Sequence, residues 1–293
     1  MPSQLRVHGA LFTVALLFSA NYIFAKLGMR EFSPLAFAWL RIAGAALLLS
    51  LFVRGEAPLS REDRRRVTGF AILGVAVNAT LFLVGLSLTS VQTAATLITA
   101  IPVFVVAAAI LLGHETASAK RIGGIALAGA GALLVAGGET FAGTWRSLLG
   151  VTMLILNCLS YALYLVISKP SMQRLSAKLV VARMFSIGAV LLFPVSAWSL
   201  WHQPWRTVSP RAWLILVIVI LGPTVLAYLL NAWALRYADS SMVAAYTYVQ
   251  PALAMILGAV FLAEPIRAIG IVAAVMIFAG VWLAGRASGP IPD

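Results

Sequence analysis

Long apolar segments follow one another along almost the whole chain. A helix needs about 20 apolar residues to cross the roughly 30 Å of hydrocarbon in a bilayer, and in lipid a helix satisfies its own backbone hydrogen bonds. Only 10% of the 293 residues are charged, against about 25% in a typical soluble protein. The sequence therefore predicts an all-α integral membrane protein with ten transmembrane helices, at roughly 8–29, 34–53, 67–88, 91–112, 119–137, 148–168, 178–199, 211–235, 241–262 and 267–285.

The basic residues are distributed unequally between the two sides of this predicted bundle. Of the 21 Lys and Arg residues, thirteen lie at the termini or in the loops after even-numbered spans, and five lie in the loops after odd-numbered spans. Because basic loops stay in the cytoplasm, both termini are predicted to be cytoplasmic. The same distribution explains the net charge of +12 without nucleic acid as a partner.

The chain also contains an internal repeat. Residues 81–115 and 230–264 align at a constant offset of 149. The matched pairs include Pro102 with Pro251, Glu115 with Glu264, Ala95 with Ala244 and Leu86 with Leu235. Each predicted half, 1–143 and 144–293, holds five spans, so the second half must enter the membrane from the opposite side. Such an inverted-topology repeat is typical of transporters that work by alternating access.

The ten spans, the 5+5 duplication and the Pro-then-Glu ending of spans 4 and 9 resemble the drug/metabolite transporter superfamily, and within it the EamA-type exporters. The resemblance covers essentially the whole chain. It implies a transporter of the bacterial inner membrane with a cavity lined mainly by spans 1, 3, 4, 6, 8 and 9. The pattern is similar to bacterial exporters of aromatic and other neutral amino acids. A small-molecule substrate of this kind and membrane lipid are therefore the expected partners.

Polar side chains within the spans are candidates for the substrate site, because such groups usually face a cavity or a partner helix. Asn78 and Phe82, four residues apart in span 3, share one helix face. Phe82 with Asn231, and Thr99 with Tyr248, are unlike residues at equivalent repeat positions. Amides, hydroxyls and rings suit a small neutral solute with an apolar or aromatic body, although any single one of them fits a purely interhelical hydrogen bond equally well. The predicted substrate-binding residues are Asn21, Asn78, Phe82, Thr99, Asn157, Tyr161, Tyr164, Tyr228, Asn231, Tyr246, Tyr248 and Gln250.

Proline and glycine mark the predicted hinges. Pro102 and Pro251, at matching positions of spans 4 and 9, each remove a backbone N–H and favour a kink within the span. Gly222 and Pro223 offer a further break in span 8, and Gly74 occupies the position that matches Pro223. A static kink is the alternative to a hinge, and the duplication favours the hinge.

Three charged residues lie within predicted spans. Lys26 is expected to extend to the outer membrane interface. Arg41 and Arg183 lie about a third of the way into their spans, where each either anchors to interior carbonyl groups or helps to hold an anionic group such as a carboxylate. The structural role is favoured. No Asp or Glu lies clearly in the middle of a span, so no proton relay is visible and facilitated, uncoupled transport is expected.

Other classes of protein fit the sequence less well. A membrane-embedded enzyme needs a reactive cluster, whereas His8, His114 and His202 lie in three separate regions of the chain. No cofactor and no metal site is expected. A channel, a non-carrier scaffold, and an exporter of other metabolites or amphipathic drugs are the alternatives that stay open. The sequence does not decide between a monomer and a dimer.

Overall fold

The computed structural model describes residues 2–56, 58–89, 91–114, 118–136 and 145–262, together with isolated positions between 272 and 283. This described part is helical and contains no β-strand, as predicted for an all-α chain. We number its helices after the predicted spans. They are α1 (Gln4–Gly28), α2 (Pro34–Phe52), α3 (Arg61–Leu88), α4 (Val91–Ile98 and Ile101–Leu111), α5 (Ala119–Ala136), α6 (Trp145–Arg174), α7 (Ala177–Trp201), α8 (Pro210–Tyr237) and α9 (Ser240–Ala245, a 3₁₀ turn at Tyr246–Tyr248, and Val249–Leu262).

Six of these helices are long and apolar enough to cross a membrane, namely α1, α2, α3, α6, α7 and α8. In α4 and α5 the described apolar helical stretches are shorter, at Ile101–Leu111 and Ile122–Gly131. The predicted span 267–285 lies mainly outside the described residues, as do Glu115 and Glu264. The architecture is therefore that of a multi-pass helical membrane protein.

Both helices that carry the matched prolines are interrupted. In α4 the first segment ends at Ile98 and the second begins at Ile101, so Pro102 is the second residue of a new helix. A proline in the first turn removes no helical hydrogen bond, because the N–H groups there have no partner within the helix. The kink predicted inside span 4 thus coincides with a two-residue turn between two helical segments. In α9 the 3₁₀ turn precedes Val249, and Pro251 follows two residues later.

Wide π-helical turns interrupt α3 at Ile72–Val77 and α8 at Ile220–Leu226. In α8, Pro223 has no N–H for the carbonyl of Val219, four residues earlier. The Thr224 hydroxyl donates to that carbonyl oxygen instead, at 2.7 Å. The predicted break at Gly222 and Pro223 is therefore a local widening of a helix that continues on both sides.

The helices pack in pairs that join the two predicted halves. The most extensive pairing is α3 with α6; α2 packs on α7, and α1 packs on α8 and α9. Glycines allow the closest approaches, since a Cβ added to Gly188 of α7 would lie 2.5 Å from Cγ1 of Val75 in α3. Small residues at such contacts are typical of membrane helix interfaces.

Lys26 of α1 lies at the C-terminal end of α3. Its Nζ donates to the backbone oxygens of Leu86 and Thr89, at 2.7 and 2.6 Å. These carbonyls have no partner within the helix, and a cation is favourable beside them. The expectation that Lys26 extends to the interface is therefore incomplete, because the ammonium group caps a neighbouring helix.

The α1–α2 and α7–α8 loops meet at one end of the bundle. Glu31 accepts hydrogen bonds from the backbone N–H of Ser209 at 2.6 Å and from its hydroxyl at 2.8 Å. Gln203 donates to the backbone oxygen of Glu31 at 2.8 Å. At the opposite end, ion pairs connect Arg174 with Asp63 and Lys178 with Glu56. Polar contacts thus tie the predicted halves together at both ends.

The Glu31 contact predicts a pH-dependent stability. The two hydrogen bonds from Ser209, first the backbone N–H and then the hydroxyl, lower the pKa of the Glu31 carboxyl below its ordinary value of 4.5. A lowered carboxyl pKa stabilises the folded state above the unfolded pKa, and this contribution is lost as the pH falls through the folded pKa. We expect Glu31→Gln to lower the melting temperature at pH 7, and we expect the gap to close progressively below about pH 4.5. A gap that is constant from pH 7 to pH 3 would contradict this prediction.

Candidate functional site

A cavity of about 70 Å³ lies among seven helices. Its wall comes from the six spans that the resemblance implies, together with α2. A space of this size corresponds to a few water molecules. The residues that line it are Phe18, Asn21, Tyr22, Arg41, Asn78, Phe82, Ile98, Ile101, Asn157, Tyr161, Tyr228, Thr247 and Gln250.

Hydrogen bonds from side chains of α6 and α8 converge on the wide turn of α3 and on Asn78 directly after it. The Asn157 amide donates to the backbone oxygen of Asn78 at 2.9 Å, and the Tyr228 hydroxyl donates to the backbone oxygen of Gly74 at 3.0 Å. Ser160 donates to the backbone oxygen of Leu73 at 2.7 Å. Three carbonyl groups of α3 therefore hold side chains of α6 and α8 in place.

Aromatic rings form much of the remaining wall. The rings of Tyr22 and Phe82 lie 5.7 Å apart, and those of Phe18 and Tyr228 lie 6.1 Å apart. The Tyr22 hydroxyl donates to Oε1 of Gln250 at 3.0 Å. The wall therefore combines apolar ring faces with fixed polar groups, which is the usual composition of a small-molecule site.

A second, smaller cavity of about 10 Å³ adjoins the first on the side of the α1 N-terminus. Asn231 and Tyr161 border it and are hydrogen-bonded to each other at 2.7 Å. Tyr246 also lines it, and its hydroxyl lies 2.5 Å from Nδ1 of His8 on α1. This smaller cavity has room for about one water molecule. The contact between α1 and α9 therefore leaves little free space on the side of the larger cavity that faces the α1 N-terminus.

The structure brings together nine of the twelve predicted substrate-binding residues. Two of them border only the smaller cavity, namely Asn231 and Tyr246. The other seven line the larger cavity and are Asn21, Asn78, Phe82, Asn157, Tyr161, Tyr228 and Gln250.

Three predicted residues line neither cavity. Tyr164 is fully buried, and its ring fills the space beside Gly74, where an added Cβ would lie 2.7 Å from the ring. Tyr248 is fully buried with its hydroxyl near Gly129 of α5. Thr99 lies in the turn that breaks α4. Tyr248 belongs to a 3₁₀ turn with about three residues per turn, and this changes which of its residues face inward.

Six further residues of the larger cavity's wall add to the predicted set, namely Phe18, Tyr22, Arg41, Ile98, Ile101 and Thr247. Phe18 and Tyr22 lie three residues before and one residue after Asn21, so the helical period of α1 could have identified Phe18. Thr247 faces the cavity because of the 3₁₀ turn, which the sequence did not indicate. Arg41 is the charged residue among those that line the larger cavity, and its side chain is 6% exposed.

Two successive segments of the chain match the same protein family. The profile of the EamA-like transporter family matches residues 6–137 and 148–286. The chain belongs to this family. The drug/metabolite transporter resemblance of the sequence is thereby confirmed.

Curated relatives of this EamA-like chain extend over nearly its full length. Two uncharacterized transporters of Archaeoglobus fulgidus are 26% and 22% identical, covering 95% and 89% of this chain and 96% and 92% of their own lengths. The protein WALLS ARE THIN 1 of Arabidopsis thaliana is 24% identical over 96% of this chain and 83% of its own. A crystal structure that is 18% identical covers 98% of this chain and 100% of its own with a TM-score of 0.77, which shows a shared fold. The chain is therefore a membrane transporter.

Proposed function

We propose that this transporter exports small neutral metabolites, principally aromatic and other neutral amino acids, across a bacterial inner membrane by alternating access. The observation that carries the proposal is the cavity at the centre of the bundle, to which both predicted halves contribute amides, hydroxyls and rings. Such groups complement a compact solute with a polar head and an apolar body. The nine predicted residues that border the two cavities form the proposed substrate site.

Several features support two inverted five-helix repeats, at 1–143 and 144–293. At the offset of 149, the wide turn Ile72–Val77 falls within the wide turn Ile220–Leu226, and the turn before Pro102 overlaps the end of the 3₁₀ turn before Pro251. Ser60 and Ser209, also 149 residues apart, each cap the helix that follows, α3 and α8. Matched irregularities favour alternating access, because each half can then change shape in the same way.

The matched irregularities are also the proposed hinges. Pro102 and Pro251 lie at segment starts, and Gly222 and Pro223 lie in the wide turn of α8. At such positions small changes in backbone angles can reorient one half of a helix relative to the other. Both termini are proposed to be cytoplasmic, since the basic residues concentrate in the loops on that side.

Flux measurements on purified protein in proteoliposomes test the proposed function. We expect saturable transport of L-phenylalanine and other large neutral amino acids, and competition between them. Flux that rises without saturation would indicate a channel. Absence of flux for every neutral amino acid, alongside transport of amphipathic drugs, would replace the proposed substrate class.

The ring of Phe82 is expected to govern selectivity. It packs against Tyr22 and lines the cavity, so Phe82→Leu should raise the apparent KM for aromatic amino acids about tenfold and change that for leucine much less. Phe12→Leu on the exposed side of α1 is the matched control, since Phe12 is 42% exposed. Equal effects of the two substitutions on both substrates would contradict the prediction.

Transport is expected to be uncoupled from protons. The described residues that line the two cavities include no carboxylate, which is the group that most often carries protons within transporters. The initial rate of substrate flux should therefore stay the same, within about twofold, when a pH gradient is imposed on the proteoliposomes. A strong dependence on the direction of the gradient would show coupling.

A further inference from the structure

Arg41 is a buried cation without a counter-ion among the residues that the structure describes. It lies on α2, its side chain is 6% exposed, and it lines the larger cavity. Its Nε atom is buried and has no hydrogen-bond partner. Tyr228 lines the same cavity, but the Tyr228 hydroxyl donates its hydrogen to the backbone of α3.

Four other basic side chains of the helical bundle are paired. Lys26 donates to two backbone oxygens, and Lys169, 15% exposed, forms an ion pair with Asp239 at 2.7 Å. Arg174 and Lys178 are also paired with carboxylates. Arg41 differs from these four side chains in lying buried beside the cavity without such a partner among the described residues.

A guanidinium group keeps its charge in a protein. Burying such a charge without a partner costs several kcal/mol, roughly as for an ion at membrane depth. No Asp or Glu of the described part of the chain lines either cavity, so an anionic group from the solute is the available partner. A planar carboxylate matches the fork of N–H donors on an arginine.

Asn21 lines the same cavity and carries a hydrogen-bond acceptor that has no donor among the described residues. Its side chain is 5% exposed, and its amide oxygen Oδ1 is buried without a hydrogen-bond donor. The comparable amide oxygen of Gln250 already accepts a hydrogen bond from the Tyr22 hydroxyl. The cavity wall thus offers one unpaired cationic donor and one unpaired acceptor.

We propose that Arg41 binds the carboxylate of the solute and that the amide oxygen of Asn21 accepts from its ammonium group. The substrates are then zwitterions, and amines or amides that lack a carboxylate are excluded. This inference rests on the proposed transport function and assigns the polarity of its site. It also assigns different roles to Arg41 and Arg183, although both lie at similar positions in their predicted spans, because Arg183 of α7 is exposed.

The first test uses wild-type protein and ligands that differ by one charged group. Binding of L-phenylalanine, 3-phenylpropionate, phenethylamine and phenylalaninamide is measured by isothermal titration calorimetry in detergent. We expect L-phenylalanine to bind most tightly, phenylpropionate more weakly, and the two ligands without a carboxylate at least about thirtyfold more weakly than L-phenylalanine. Binding of phenethylamine as tight as that of L-phenylalanine would overturn the assignment of Arg41.

The second test compares Arg41→Gln with Arg183→Gln in the same assay. Arg41→Gln should weaken L-phenylalanine binding about thirtyfold or more, Arg41→Lys should restore part of the affinity, and Arg183→Gln should leave it unchanged. Asn21→Leu should weaken L-phenylalanine but not phenylpropionate. Saturable flux with full affinity in Arg41→Gln would refute the inference and leave the proposed function standing. Absence of binding and flux for all amino acids in the wild type would refute both. If Arg41→Gln does not fold, the wild-type ligand series and Asn21→Leu still decide.

Discussion

Replacing Gly150 with valine should push α6 away from α3 and lower the melting temperature more than any cavity substitution. A Cβ at this position would lie 2.7 Å from Cγ2 of Thr89, 2.8 Å from Cβ of Leu88 and 3.1 Å from the backbone oxygen of Gly85. The Gly85 oxygen is a backbone atom and Cβ of Leu88 is bonded directly to the backbone, so neither atom moves when a side chain changes its rotamer. Overpacking of this kind costs about 1–3 kcal/mol or more.

Thermal unfolding of the purified protein in detergent measures this effect. A loss of about 2 kcal/mol corresponds to a fall of about 5 °C in melting temperature for a chain of this size. Gly123→Val is the control, because a Cβ at Gly123 of α5 would meet no atom of the described residues within 4 Å. Similar melting temperatures for the two variants would show that the α3–α6 contact is looser than the structure indicates.

Replacing Ile98 with tryptophan should abolish transport while leaving the protein folded. Ile98 lines the cavity and is 5% exposed, so a larger ring enters the space of about 70 Å³ that the solute is proposed to use. We expect flux in proteoliposomes to fall at least about tenfold, because the substituted ring competes with every substrate for one volume.

Val103→Trp is the matched control for this substitution. Val103 also belongs to α4 but is 54% exposed, so its replacement adds the same ring outside the cavity. Flux and melting temperature should both stay close to those of the wild type. Normal flux in Ile98→Trp, with normal stability, would place the transport path elsewhere in the bundle.

The long apolar segments explain why much of this fold can be predicted from the sequence. An apolar segment of sufficient length has few options in lipid, so the helices follow directly from the segments. The polar wall is predictable for a related reason, because a buried amide such as Asn78 or Asn157 must find a partner or a cavity. Both residues do line the cavity.

The rotation of each helix about its axis is what the sequence leaves open. Arg41 and Arg183 occupy similar positions in the second spans of the two halves, but one faces the cavity and the other is exposed. The sequence predicts Tyr248 as a substrate-binding residue. In the structure Tyr248 belongs to a 3₁₀ turn, and its ring lies buried beside Gly129. Packing between helices decides these rotations. Residue spacing along one helix shows which residues share a face, but not which neighbour that face contacts.

The three hydrogen bonds that α6 and α8 donate to α3 do not depend on the residue types of α3 at the accepting positions. The acceptors at positions 73, 74 and 78 are backbone oxygens, whereas their donors are the side chains of Ser160, Tyr228 and Asn157. A point mutation on α3 that preserves the turn removes none of these acceptors, but a mutation of a donor removes its bond outright. Substitutions should therefore affect these three hydrogen bonds unequally: those at positions 73, 74 and 78 leave the acceptors in place, whereas those at Ser160, Tyr228 and Asn157 remove the donors.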